Sequence, residues 1–390
     1  MNHEQHLISQ ATELAPLLER NASRTESARR IAEENIRALE SAGLMDLLMP
    51  KRFGGHGVTM KTSLAISAAL AKACPSTSWV QTLMNVSAWF ATRASHRVQE
   101  EIFGQPGRPR LCGSLAPNKI IQRVEGGYLI SGEWDFTSGC WHSNWCICGV
   151  PILDAQGQPV ESGWAFIPMS DLRIEDTWYA AGMKGTGSHS VRAENLFVPN
   201  HRVMSLRGEH ADENWAEGIT PEPCDLWPLK PVLVLVLIGP VLGTAEGALA
   251  AVIKDSHARG IKYTIYRRRS DSAVVQHEIA KAAMLVDTAQ LHSMRAAADI
   301  DSTASGIEMD YVTRARVRAD CGYASQAARE AVELLASIAG GSAFKDSNPV
   351  QRFWRDIGVA SRHSALTTST NFEIYGRALL GLSDNITTVV

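Results

Sequence analysis

The sequence predicts an α+β fold in three blocks: an N-terminal helical domain over residues 1–108, a central β-barrel or β-sandwich over 109–205, and a C-terminal four-helix bundle over 206–390. Three observations carry this. Apolar residues recur at helical spacing as far as about Gly104. Between Leu111 and Val203 the texture changes to short apolar runs divided by Gly, Pro, Asn and Asp. Long helical patterns then return from Pro231 to Leu382. A chain of 390 residues can bury a large core, and 45% hydrophobic with 20% charged residues excludes a disordered or fibrous protein. A formal net charge of -3 lacks the basic excess of a nucleic-acid or anionic-membrane binder, so neither partner is expected.

In the first block, Ser23-Arg24-Thr25-Glu26 has the form of a capping box and predicts a helix start, with Ile31, Ile36, Leu39 and Leu44 following at helical spacing. The stretch Pro50 to Gly57, with three glycines, predicts a loop. Two more helices are expected, one from Lys61 to Ala71 and one from Ser76 with Trp79, Leu83, Val86 and Phe90 on one side.

In the second block the runs Ile120 to Val124, Tyr128 to Ile130, Trp145 to Ile152, Gly163 to Pro168 and Val191 to Val198 predict strands. Gly126-Gly127 suits a tight turn. After it, Ser131 to Gly139 alternates Trp134 and Phe136 with Glu133 and Asp135, giving an aromatic and an acidic face, until Thr137 and Ser138 place hydroxyls at the end. Such a strand can lay a flat ring system against an apolar wall and bond its heteroatoms. It can equally be a half-buried strand of any β domain. Cys140, His142, Cys146 and Cys148 fit no common zinc spacing, so no metal is expected.

In the third block the apolar run Pro231 to Val241 is shorter than the roughly 18 residues of a membrane span and predicts a core helix. Asp271 can cap a helix through Val275, Ile279, Ala282 and Val286, and another runs from Ile307 to Ile338 until Gly340-Gly341-Ser342 ends it. Further helices are expected from Pro349 to about Thr368 and near Phe372 to Leu380. Seven cysteines, odd in number and in apolar contexts, fit reduced thiols. Residues Met1 to Gln10 lack the apolar core of a signal peptide, so a cytoplasmic protein is expected. No dinucleotide fingerprint follows a strand, so the chain is not expected to bind NADH itself.

The block order resembles the acyl-CoA dehydrogenase fold, as do several motifs. Pro50 to Gly57 is similar to the family's Pro-x-x-x-Gly-Gly turn, and Gly182-Met183-Lys184-Gly185-Thr186 with Leu196 to Pro199 to its Gly-Met-Arg-Gly-Thr strand pair. Gly340-Gly341, Pro349 to Arg352 and Arg355-Asp356 are similar to its C-terminal signature. The glutamate base of the dehydrogenases would fall about two and a half helical turns after Arg355, where this chain has Ser364 beside His363. A serine cannot take an α-proton unaided, whereas a neutral imidazole can move a phenol's proton. Glu373 leaves a displaced carboxylate as the dehydrogenase alternative.

Arg355 to His363, together with Phe136-Thr137-Ser138-Gly139-Cys140, resembles the oxygenase components of two-component flavin monooxygenases, similar to p-hydroxyphenylacetate and steroid-phenol hydroxylases. That resemblance implies reduced FMN or FAD supplied by a separate NAD(P)H:flavin reductase, and O2 bound as a C4a-hydroperoxide. One oxygen atom then goes to a small aromatic or heteroaromatic substrate, phenolic or indole-like. It implies Trp134, Phe136, Thr137, Ser138 and Gly139 at the flavin, with Ser138 facing N5, and His363 as substrate-side acid or base. Arg267 and Arg269 can bind flavin phosphate, or belong to a solvated charge run. Asn85-Val86-Ser87-Ala88-Trp89 departs from the branch's Asn-Val-His-x-Trp, putting Ser87, with Trp89, in the expected substrate pocket and pointing to indole or another neutral heteroaromatic. His189 either reaches the flavin pocket or closes a turn. The bundle implies a homotetramer. The remaining alternative is a non-catalytic flavin-binding protein, with Ser138 and His363 incidental.

Overall fold

The computed structural model describes residues 2–115, 120–154, 156–205, 220–382 and 386–387. The N-terminal block holds α1 (His3–Glu13), α2 (Ala15–Ala28), α3 (Glu33–Ser41), α4 (Met60–Ala71), α5 (Pro75–Ala91) and α6 (His96–Phe103). Asn2 and Gln5 cap α1 reciprocally, but Ser23 lies inside α2 and starts no helix. That helix begins at Ala15 with a proline in its first turn and stops at Arg29, whose φ of 49° is left-handed. Glu26, the expected capping-box acid, instead pairs with Arg355 of the C-terminal block. Helix α5 is buried on nearly every side, as a helix at the centre of a core must be.

The β block is a sandwich of two four-stranded sheets, and no closed barrel is formed among the described residues. Its strands are β1 (Leu111–Ser114), β2 (Ile120–Val124), β3 (Gly127–Trp134), β4 (Trp145–Leu153), β5 (Pro159–Pro168), β6 (Arg173–Glu175), β7 (Ser190–Pro199) and β8 (Val203–Ser205). One sheet runs β1-β4-β5-β8 and the other β2-β3-β7-β6. Between them Ile130, Trp134, Cys146, Cys148, Val150 and Val191 form a core separate from that of the helices.

The expected aromatic face of Trp134 and Phe136 does not form. Strand β3 ends at Trp134, which is fully buried with its Nε1–H donated to the Gly149 carbonyl at 2.8 Å. Phe136 takes a φ of 59°, outside any strand, and turns outward with 71% of its surface exposed. Alternation holds only while the backbone stays extended.

The C-terminal block holds α7 (Leu229–Leu235), α8 (Ile238–Ala258), α9 (Ala273–Ser302), α10 (Tyr311–Ala339), α11 (Pro349–Ala360) and α12 (Thr368–Leu379). Helix α10, capped by Asp310, is central and packs on α8, α9, α11 and α12. The residue at the start of α9 is Ser272; Asp271, the expected cap, pairs with Arg268. The apolar run Pro231 to Val241 spans α7 and the start of α8, mostly inside one core that joins both helical blocks. Helices α4 and α8 touch backbone to backbone: a Cβ on Gly243 would lie 2.1 Å from the Ala68 carbonyl oxygen, and one on Gly239 would meet Ser67 Oγ. All seven cysteines are free and buried.

Candidate active site

The turn from Phe136 to Gly139 leaves the sandwich and lands on α5. Gly139, with a φ of 74°, has no room for a side chain, because a Cβ there would meet Val80 Cγ1 at 2.8 Å and Met84 Cε at 2.9 Å. One residue earlier, the Ser138 hydroxyl lies 2.7 Å from Ser188 Oγ, which lies 2.6 Å from Thr186 Oγ1. Thr186 closes this row by donating to the Met183 carbonyl at 2.8 Å. Phe136 and Trp178 meet edge to face at 5.9 Å, and the Trp178 indole donates to the same carbonyl.

The loop that carries Thr186 and Ser188 is fixed from α11. Gly182 sits against the Arg355 carbonyl, Arg355 donates to the Ala181 carbonyl, and the Met183 N–H donates to buried Asp356 at 2.5 Å. Burial pushes the Asp356 carboxyl up to about 6, although the Met183 bond and nearby arginines oppose it.

His363 follows α11 through Ser361 and Arg362, and its ring lies 5.9 Å from Trp79 of α5. The imidazole is exposed, yet the loss of water from its surroundings pushes its pKa down to about 4. Loss of water is the cause of the shift, and among the described residues no carboxylate is paired with this ring. Nδ1 accepts the Ala365 N–H at 3.2 Å, which places the neutral ring's proton on Nε2. Ser364 sits in the short turn that follows, and Glu373 is exposed on α12, whose buried face packs on α10.

Helix α5 therefore joins the two halves, with Val80 and Met84 behind the Ser138 turn and Trp79 beside His363. Family models for the acyl-CoA dehydrogenase N-terminal and C-terminal domains match residues 8–103 and 235–368. The oxygenase subunit HsaA of a flavin-dependent monooxygenase from Mycobacterium tuberculosis is 30% identical over 99% of this chain and 98% of its own. The chain belongs to this family of oxygenase subunits.

Other relatives agree. The oxygenase component of an FADH(2)-dependent resorcinol hydroxylase from Rhizobium is 30% identical, over 96% of this chain and 94% of its own. The solved structure of XiaF from Streptomyces, in complex with FADH2 and glycerol, superposes with a TM-score of 0.93 at 31% identity, covering 99% of this chain and 98% of that one. The oxygenase accordingly works with reduced flavin. Its residues fit that group: an exposed aromatic ring at Phe136, a nearly buried hydroxyl at Ser138 and a glycine pressed against α5 form one compact turn.

Several residues of the oxygenase do other work than the sequence suggested. Trp134 is sandwich core. Thr137 is fully buried and donates its hydroxyl proton to the Trp134 carbonyl at 2.9 Å, while its N–H bonds the His189 carbonyl, so its side chain ties the turn from inside. Trp89 is also fully buried and donates to the Cys224 carbonyl, so its indole packs in the core instead of facing an open pocket. Arg269 bonds Asp255 at 2.7 Å and the Ala339 carbonyl at 2.8 Å, fastening α8 to the end of α10. Arg267 is exposed. His189 closes a turn: its Nδ1 accepts the Thr177 and Trp178 N–H groups and its ring is buried.

Ser87 is half-buried, seven residues after Val80 and three after Met84, and so shares the face of α5 that backs the Ser138 turn. Sequence reasoning treats Trp79 only as a helix-face residue and Thr186 and Ser188 only as parts of a motif. The period-two hydroxyls of Thr186-Gly187-Ser188 are the available signal for the latter pair. Nothing in the sequence singles out Trp178.

Proposed function

We propose that this oxygenase hydroxylates a neutral aromatic or heteroaromatic compound, a phenol or an indole-like ring, using reduced flavin delivered by a separate NAD(P)H:flavin reductase in the cytoplasm. The observation that carries this reading is the convergence on α5 of the Ser138 turn and the His363–Trp79 pair. The FADH2 bound by XiaF favours FAD over FMN. Bound reduced flavin supplies the two electrons that activate O2, one oxygen atom entering the substrate and the other leaving as water.

The chain's own residues bind and orient. Phe136 offers an aromatic surface, Ser138 a hydrogen-bonding oxygen, and Trp79 an indole wall for a flat substrate. His363, neutral and protonated on Nε2, donates a hydrogen bond to the substrate's oxygen instead of removing its proton, because accepting a proton at Nδ1 would break the Ala365 bond. Ser87 suits a ring N–H or hydroxyl. The dehydrogenase alternative would need a carboxylate where this chain carries His363 and Ser364.

Purified protein, FAD, NADH, a flavin reductase and ¹⁸O2 should convert a phenol or indole from a test panel into a product carrying one ¹⁸O atom. Oxidation of an acyl-CoA with added oxidised flavin, or failure to bind reduced flavin, would overturn this function.

A further inference from the structure

Counting protons along the hydroxyl row behind the flavin turn fixes its direction. Thr186 Oγ1 lies 2.8 Å from the Met183 carbonyl oxygen, and two oxygens at that separation need a proton between them. Only the threonine can supply it. A hydroxyl has one proton, so Thr186 cannot also donate to Ser188, and the 2.6 Å contact between them is a bond from Ser188 to Thr186. With the Ser188 proton committed, the 2.7 Å contact with Ser138 is donated by Ser138. Ser138 then presents only lone pairs to anything else. All three side chains are buried, so water cannot readily reverse the row.

We propose that Thr186 and Ser188 are positioning residues that hold Ser138 as an obligate hydrogen-bond acceptor, making the site selective for reduced over oxidised flavin. The proposal rests on the placement of Ser138 at flavin N5. Reduced flavin carries a proton on N5, which an acceptor satisfies. Oxidised flavin has a lone pair there, and an acceptor set against it leaves both atoms unpaired and repelling. Selectivity thus comes from a proton fixed three side chains away, beside the loop that Asp356 anchors through the Met183 N–H.

The test is anaerobic titration of the full-length protein with dithionite-reduced FAD and, separately, with oxidised FAD. Ser188→Ala removes the acceptor for the Ser138 proton and lets that hydroxyl turn toward N5. Oxidised FAD should then bind about five- to tenfold more tightly, the worth of one neutral hydrogen bond, while reduced FAD changes by less than about twofold. Thr186→Val leaves both serines in place but frees the row to reverse, and should shift binding in the same direction; Thr186→Ser should behave as the parent. A loosened structure would weaken both redox forms together, so tighter binding of the oxidised form is the distinguishing result. Should one variant fail to fold, the other still gives the readout.

If folded Ser188→Ala or Thr186→Val keeps the parent's ratio of affinities, or loses both forms equally, the polarity proposal is wrong. Ser138→Ala separates this from the underlying reading: it should weaken reduced FAD selectively. Unchanged affinity for both forms would remove Ser138 from N5 and overturn the proposal with it.

Discussion

At the scale of single residues, His363 sets the sharpest expectation. Its depressed pKa and the bond that Nδ1 accepts make it a fixed donor through Nε2. A hydrogen bond to a charged or developing oxygen is worth about 1.5–3 kcal/mol, so His363→Ala should lose on the order of 10- to 100-fold in product formation, with hydrogen peroxide rising to match. Binding of reduced flavin should be unchanged, and His363→Gln, which keeps an N–H donor, should recover part of the loss. The parent's yield of product per NADH should lack a histidine step between about pH 5.5 and 8, because a ring with its pKa near 4 stays neutral throughout. A step near pH 6.5 that His363→Ala abolishes would restore the role of acid or base.

At the scale of elements, the junction between α11 and the Gly182–Ser188 loop decides whether the site is assembled. Asp356 accepts the buried Met183 N–H, and Asp356→Ala would orphan that donor at a cost of about 1–3 kcal/mol while loosening the loop that carries Ser188. Coupling of electron use to product should fall with stability. Asp356→Asn can still accept the Met183 N–H through its amide oxygen but cannot titrate. The folded carboxyl titrates near 6, above its ordinary 3.8, so its stabilising effect is complete at low pH and disappears as pH rises through about 6. Relative to the parent, Asp356→Asn should therefore gain in melting temperature between pH 5 and pH 8. A difference that does not vary with pH would show that Asp356 is ionised throughout that range.

At the scale of the whole molecule, the bundle leaves large apolar side chains exposed. Met284 and Leu291 of α9 and Phe372 and Leu379 of α12 are all exposed, Leu291 by 72%. Exposed apolar residues on helices whose other faces are buried suit an assembly surface. We propose a homotetramer built through these helices. Light scattering at micromolar concentration should give four times the mass of the chain, and Leu291→Glu should lower it; a stable monomer in the parent would exclude this assembly.

Much of the architecture was legible in the sequence, because helix and strand periodicity report burial that each segment can satisfy locally. The bounds of α4, α5, β2 and β4 lie close to those expected, whereas α11 stops at Ala360 instead of running to about Thr368, and the change of texture near Leu111 marks the sandwich. Motifs also singled out the Ser138 turn and His363 as candidates. The sequence could not show that β3 stops at Trp134, that Phe136 reverses into a positive φ, or that Thr137, Trp89 and Arg269 have their polar groups bonded inside the fold. A side chain's partner can lie more than a hundred residues away, as the Cys224 carbonyl does for Trp89. Residue types and spacing therefore determined which groups were available for chemistry. Tertiary packing alone decided which face the site, because the direction of a hydrogen bond and the side of a turn depend on neighbours that local periodicity does not encode.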